Sequence, residues 1–154
     1  MIIPQKLKRG DEIRVIAPSR SLSLLSENLI RSAKERLMQE GFIVSFSKNC
    51  REFDMFMSSS IESRVEDIHE AFADPNVKAI LTVIGGFNSN QLLEYLDYGL
   101  IKNNPKIICG YSDITALNNA ITAKTGLVTY SGLHFSSWGM EKDFDYDLEY
   151  FKKT

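Results

Sequence analysis

The run Val77-Lys-Ala-Ile-Leu-Thr-Val-Ile84, cut off by Gly85-Gly86, narrows the folds open to this chain more than any other stretch. A strand so nearly continuously apolar hides both of its faces, as strands of a parallel sheet do when helices cover it on each side. Two glycines at its carboxyl end permit backbone angles that turn amides toward a ligand. They serve equally in a tight turn that binds nothing. Asn88 or Ser89 then caps a short helix through Leu92, Leu93 and Leu96.

The rest of the chain alternates in the same way. Glu12–Ala17 reads as a first strand, stopped by Pro18 and a serine-rich run from Ser19 to Ser26. That run is either a loop lining a site or a polar connection ending in a cap at Ser23 or Ser26. Leu29, Ile30, Ala33, Leu37 and Met38 mark one face of a helix over 27–40, and Gly41 ends it. Phe42–Phe46 is a second strand. The loop from Ser47 to Met57 carries Phe53, Met55 and Phe56, which pack beneath it or meet a partner. Ser59-x-x-Glu62 has capping-box spacing ahead of a stripe of Ile61, Val65, Ile68, Ala71 and Phe72, with His69 off that stripe as a solvated surface residue.

Lys106–Thr125 joins an apolar strand, Ile107-Ile108-Cys109, to a helical stripe of Ile114, Leu117 and Ile121, with Gly110-Tyr111-Ser112-Asp113 between them. A serine on such a turn projects its oxygen from the carboxyl edge of the sheet, beside helix-start amides that stabilise negative charge. Ser112 or Asp113 as a plain helix cap is the alternative, and Ile114 replaces the second glycine of a Gly-x-Ser-x-Gly elbow. Gly126–Tyr130 reads as a fifth strand. His134 follows it in an aromatic loop, as a base for Ser112, a pocket-lining residue or a locally packed one. Phe144, Leu148 and Phe151 give a last stripe within Asp143–Lys153. The alternation predicts one three-layer α/β sandwich over residues 1–154, with a mainly parallel sheet of flavodoxin/Rossmann-like type. Sites in such folds lie at strand carboxyl ends, where Gly85-Gly86, Ser112 and His134 all fall.

Composition removes several classes. A net charge of −2 with scattered Lys and Arg offers no field for nucleic acid. No apolar run nears the roughly 20 residues that span a bilayer, and the start lacks a signal pattern, so neither a membrane nor export is expected and the cytoplasm is the default. Cys50 and Cys109 are far apart without metal-ligand spacing and read as reduced structural thiols. Neither a Walker pattern nor Gly-x-Gly-x-x-Gly is present, so a nucleotide cofactor would rest on fold analogy alone and no cofactor is expected; nor, with the cysteines lacking metal-ligand spacing, is a metal.

Three segments in order, Ile84–Leu93, Asn104–Leu117 and Thr129–Gly132, resemble the amino-terminal half of the LD-carboxypeptidase family, serine peptidases that trim muropeptides, together with microcin C immunity peptidases. Phe87-Asn88-Ser89-Asn90 and His134-Phe135-Ser136-Ser137 look closer to the immunity branch. The resemblance implies Ser112 as nucleophile, backbone amides near Gly86 and Asp113 as the oxyanion hole, and Gly85, Phe87 and His134 at the substrate. It also implies a small peptide or aminoacyl-nucleotide substrate. The family completes a Ser-Glu-His triad from a carboxyl-terminal domain, which this chain ends before reaching; alone, it is expected to be a very poor catalyst. Two rivals stand beside this reading. One is a non-catalytic module holding an anion on the Gly85-Gly86 loop. The other is a fragment pairing as a homodimer through the apolar face that the missing domain would cover.

Overall fold

The four apolar runs assemble into one parallel sheet because each is followed by a helix that carries the chain back across a face. In the computed structural model, which describes residues 1–140 and 144–151, the strands are β1 (Glu12–Ile16), β2 (Ile43–Phe46), β3 (Val77–Thr82) and β4 (Ile107–Cys109). Their order is β2-β1-β3-β4, all parallel. The chain first steps one way from β1 and then returns to its other side. That reversal opens a crevice above the carboxyl ends of β1 and β3.

Helices cover both faces. On one, α1 (Glu27–Gln39) sends Ile30, Ala33 and Leu37 onto Ile13, Val15, Ala79 and Leu81, joined by Phe135 and Trp138 of α5 (Phe135–Trp138). On the other, α2 (Ile61–Ala73), α3 (Tyr98–Asn103) and α4 (Ile114–Thr125) bury Ile68, Phe72, Ile101, Leu117 and Ile121 against Ile16, Ile80 and Ile108. The expected three-layer α/β sandwich is the fold. The last stripe falls on α6 (Phe144–Phe151), where Leu148 and Phe151 pack on the first core; its predicted ends at Asp143 and Lys153 lie outside the described residues. Among the described residues no helix is long and apolar enough to cross a membrane.

Three local expectations change. Gly126–Tyr130 is not a continuous strand: Leu127 bridges to Ile2 and Tyr130 to Cys109, so the segment switches partner midway and only its end runs beside β4. The cap of α2 is Ser60, whose hydroxyl accepts from the Ser63 amide at 3.1 Å, one residue beyond the predicted capping box. His69 is half-buried, with its Nε2 accepting from the Asp97 amide at 2.8 Å, and desolvation lowers its pKa. Ser26 caps α1 as one of the two predicted candidates.

Candidate active site

Adjacent β1, β3 and β4 deliver three loops to one edge: Pro18 to Arg20, Ile84 to Asn88, and Gly110 to Asp113. Ser112 heads the third. Its φ is +59°, one of two non-glycine residues with positive φ among those described, and its side chain is exposed. A left-handed serine costs on the order of 1 kcal/mol or more and persists only where the surroundings impose it. Gly85 leaves room for it: a Cβ built there would stand 3.1 Å from Ser112 Cβ and 3.2 Å from its Oγ. Gly110, on the other side of the turn, admits no side chain either, because its missing Cβ would run into Thr82 Oγ1.

Neither Ser112 nor Asp113 caps α4 in the ordinary way. Asp113 occupies the cap position with no side-chain capping bond. Its carboxylate turns back instead, accepting from Ser19 Oγ at 2.6 Å and from the Asn88 and Ser89 amides at 3.0 Å each. One carboxylate thus fastens the β1 loop and the glycine loop to the Ser112 turn. Asn88 is likewise no side-chain cap for the turn of Ser89–Leu92; its amide nitrogen donates to Ser58 Oγ at 2.9 Å. Arg64 of α2, buried, clamps the same loops by donating to the Pro18 carbonyl at 3.3 Å and the Asn88 carbonyl at 3.2 Å. Burial lowers its pKa, although Asp54 and Asp113 act in the opposite sense.

Above these loops lies an open cavity of about 300 Å³ lined by Arg20, Ile84, Gly85, Gly86, Tyr111, Ser112 and His134. The structure therefore brings Gly85, Gly86, Ser112 and His134 together. Phe87 stands outside the lining, 57% exposed at the rim, with the Arg20 guanidinium 5.8 Å over its ring. His134 is placed by the return of the chain, since Ser136 donates its amide to the Val83 carbonyl at 3.0 Å. It is buried, stacks on Tyr111 with centroids 4.2 Å apart, and sets Nδ1 2.9 Å from Thr82 Oγ1. Desolvation pushes its pKa down to about 4, against a smaller opposing effect of the Tyr111 backbone, so the ring is neutral near pH 7. No hydrogen bond joins it to Ser112 among the described residues, and so weak a base suits lining better than proton abstraction.

Sequence reasoning overlooked Arg20, Thr82, Arg64 and the backward turn of Asp113. For Arg20 one signal was legible: a cation directly after the first strand's carboxyl end. Phe53, Met55 and Phe56 are exposed rather than packed beneath their loop. That loop reaches the rim of the site, because the Met57 carbonyl accepts from the Ser21 amide at 2.8 Å. A second groove of about 190 Å³, apolar at Leu7, Phe42, Ile107, Leu148 and Phe151 and edged by Lys6, Lys8, Arg9 and Glu40, has no serine or histidine among its described lining residues. Its one thiol, Cys109, is pushed up to about 12 by burial and cannot supply a thiolate. No group of three or more metal-ligating side chains occurs among the described residues.

Residues 13–132 match the family model described as the LD-carboxypeptidase N-terminal domain. The chain is 61% identical over 146 residues to the putative carboxypeptidase YocD of Bacillus subtilis, covering 95% of this chain and 45% of that protein. Its backbone superposes on the crystal structure of an MccF-like protein from Bacillus anthracis with a TM-score of 0.98 and 65% identity, covering 99% of this chain and 46% of that one. The microcin C7 self-immunity protein MccF in complex with aspartyl sulfamoyl adenosine gives a TM-score of 0.94 at 36% identity, with 99% and 46% covered; MccF is an Escherichia coli protein. The chain thus spans less than half the length of these relatives. A matched domain model over most of the sequence, and relatives this similar in sequence and backbone, place the chain in the LD-carboxypeptidase family, whose N-terminal domain it matches.

Proposed function

We propose that Ser112 is the nucleophile of a serine carboxypeptidase that hydrolyses an amide bond of a muropeptide or of an aminoacyl-nucleotide. One observation carries the reading: an exposed serine held at φ +59° on the β4–α4 turn, against the glycine loop that ends β3. The strain and the close glycine have no use in a plain helix cap, and the capping bond is absent. Attack by the Ser112 oxygen on the scissile carbonyl forms a tetrahedral intermediate. Its negative oxygen is met by the backbone amides of Gly86 and Asp113, neither of which donates to a partner among the described residues. Collapse expels the leaving amine and leaves an acyl group on Ser112, which water then removes.

A serine hydroxyl needs a base to shed its proton near pH 7, and neutral, Thr82-bound His134 does not fit that role. The base and its carboxylate partner are assigned to the part of the relatives' length that this chain does not span. An aminoacyl-nucleotide substrate is supported by the aspartyl sulfamoyl adenosine bound to the related immunity protein, and a muropeptide substrate by 37% identity to a probable murein peptide carboxypeptidase of Bacillus subtilis. Two free, buried cysteines are in keeping with a cytoplasmic enzyme. The test is Ser112→Ala in a protein of the relatives' full length: hydrolysis should fall by about 10³-fold or more, and full activity would remove the assignment.

A further inference from the structure

The cavity over Ser112 has one charged wall. Of the described residues lining it, Arg20 alone carries a formal charge, because His134 is neutral and the others are apolar, hydroxylic or glycine. Arg20 forms no ion pair with a carboxylate among the described residues, and its Nε is buried with no hydrogen-bond partner. Its position is nonetheless fixed. The stem crosses Gly86, where an added Cβ would stand 3.0 Å from Arg20 Cγ, and the head lies over the Phe87 ring. Ser19, the preceding residue, is bonded to Asp113. An arginine held by its stem and stacked on an aromatic face loses little freedom when its fork meets a planar anion.

We propose that Arg20 fixes an anionic group of the substrate, a carboxylate or a phosphate, beside the bond that Ser112 attacks, with Phe87 orienting the guanidinium. The inference rests on the reading of Ser112 as nucleophile and adds the charge that the substrate must carry. The arrangement explains why Gly86 has no side chain: a Cβ there would displace both Ser19 and the Arg20 stem. Arg20 is thereby a specificity-determining residue and takes no proton in the reaction.

The experiment compares wild type, Arg20→Gln and Arg20→Lys in a protein of the relatives' full length. The substrates are a peptide whose terminal carboxylate follows the scissile amide and the same peptide ending in a carboxamide; the competing ligands are AMP and adenosine. If the anion is a carboxylate, Arg20→Gln raises KM for the acid by about 10- to 100-fold, as loss of a charge-assisted bond would, with kcat and the carboxamide little changed. If it is a phosphate, Arg20→Gln weakens AMP by a similar factor and leaves adenosine unchanged. Arg20→Lys recovers part of either loss. Equal changes for acid and carboxamide, together with equal changes for AMP and adenosine, overturn the proposal. Should Arg20→Gln lower the unfolding midpoint, Phe87→Leu provides the second variant, with a smaller shift in the same charge-dependent sense. Calorimetric titration of Ser112→Ala, with and without Arg20→Gln, with the two peptides, AMP and adenosine reads the role of Arg20 without turnover, so failure of the nucleophile assignment is scored separately.

Discussion

Ser112 shows what a single residue can carry: its identity is common, its backbone is not. The Gly110-x-Ser112 spacing and the strand-to-helix pattern made the turn legible, but the left-handed φ and the close approach of Gly85 from another loop were not. The same holds for Gly110. An added methyl would drive into Thr82 Oγ1 and stand 3.0 Å from Ile114 Cγ2, so Gly110→Ala should cost about 1–3 kcal/mol. Urea unfolding checks this, and an unchanged midpoint would show that the contact relaxes freely. His134 supplies a pH dependence. Burial holds its folded pKa at about 4, below the ordinary 6.5, so between these values the unfolded chain binds the extra proton. The stability linked to it is full above pH 6.5 and is lost as pH falls toward 4. Wild type should therefore lose stability over that window more steeply than His134→Asn does; parallel curves would contradict the buried, neutral ring.

Among elements, the four strands and the principal helices could be read from apolar runs and stripes, since each pattern is local. The failures were long-range. Gly126–Tyr130 has strand composition, yet pairs first with Ile2 and then with Cys109, and no local signal records that exchange. Asp113 looked like a cap because sequence neighbours suggest one, whereas its carboxylate answers to Ser19 and the Asn88 amide, many residues away. Arg64 had an unremarked place on α2, yet its guanidinium joins the loops after β1 and β3. Arg64→Ala leaves two buried carbonyls without that donor and should destabilise the fold by on the order of 3 kcal/mol. It should also lower kcat in the full-length enzyme by loosening the Gly86 amide. Unchanged kcat with lowered stability would confine Arg64 to a structural role.

At the scale of the molecule, the β2-β1-β3-β4 order explains why three loops distant in sequence share one edge. The crevice sits where the strand order reverses, and Ser112, the glycine pair and Arg20 all face it. The base that activates Ser112 is proposed to lie in the part of the relatives' length that this chain does not span, since the chain covers 45% of YocD. The 154-residue chain by itself should therefore hydrolyse substrate at least about 10³-fold more slowly than a protein of full family length. Comparable rates would require a base among the residues present. The most direct measurement is to treat the full-length protein with a fluorophosphonate and locate the adduct by peptide mass spectrometry. One adduct on Ser112, absent from Ser112→Ala, is expected; an adduct on another serine, with hydrolysis retained in Ser112→Ala, would contradict Ser112 as the nucleophile.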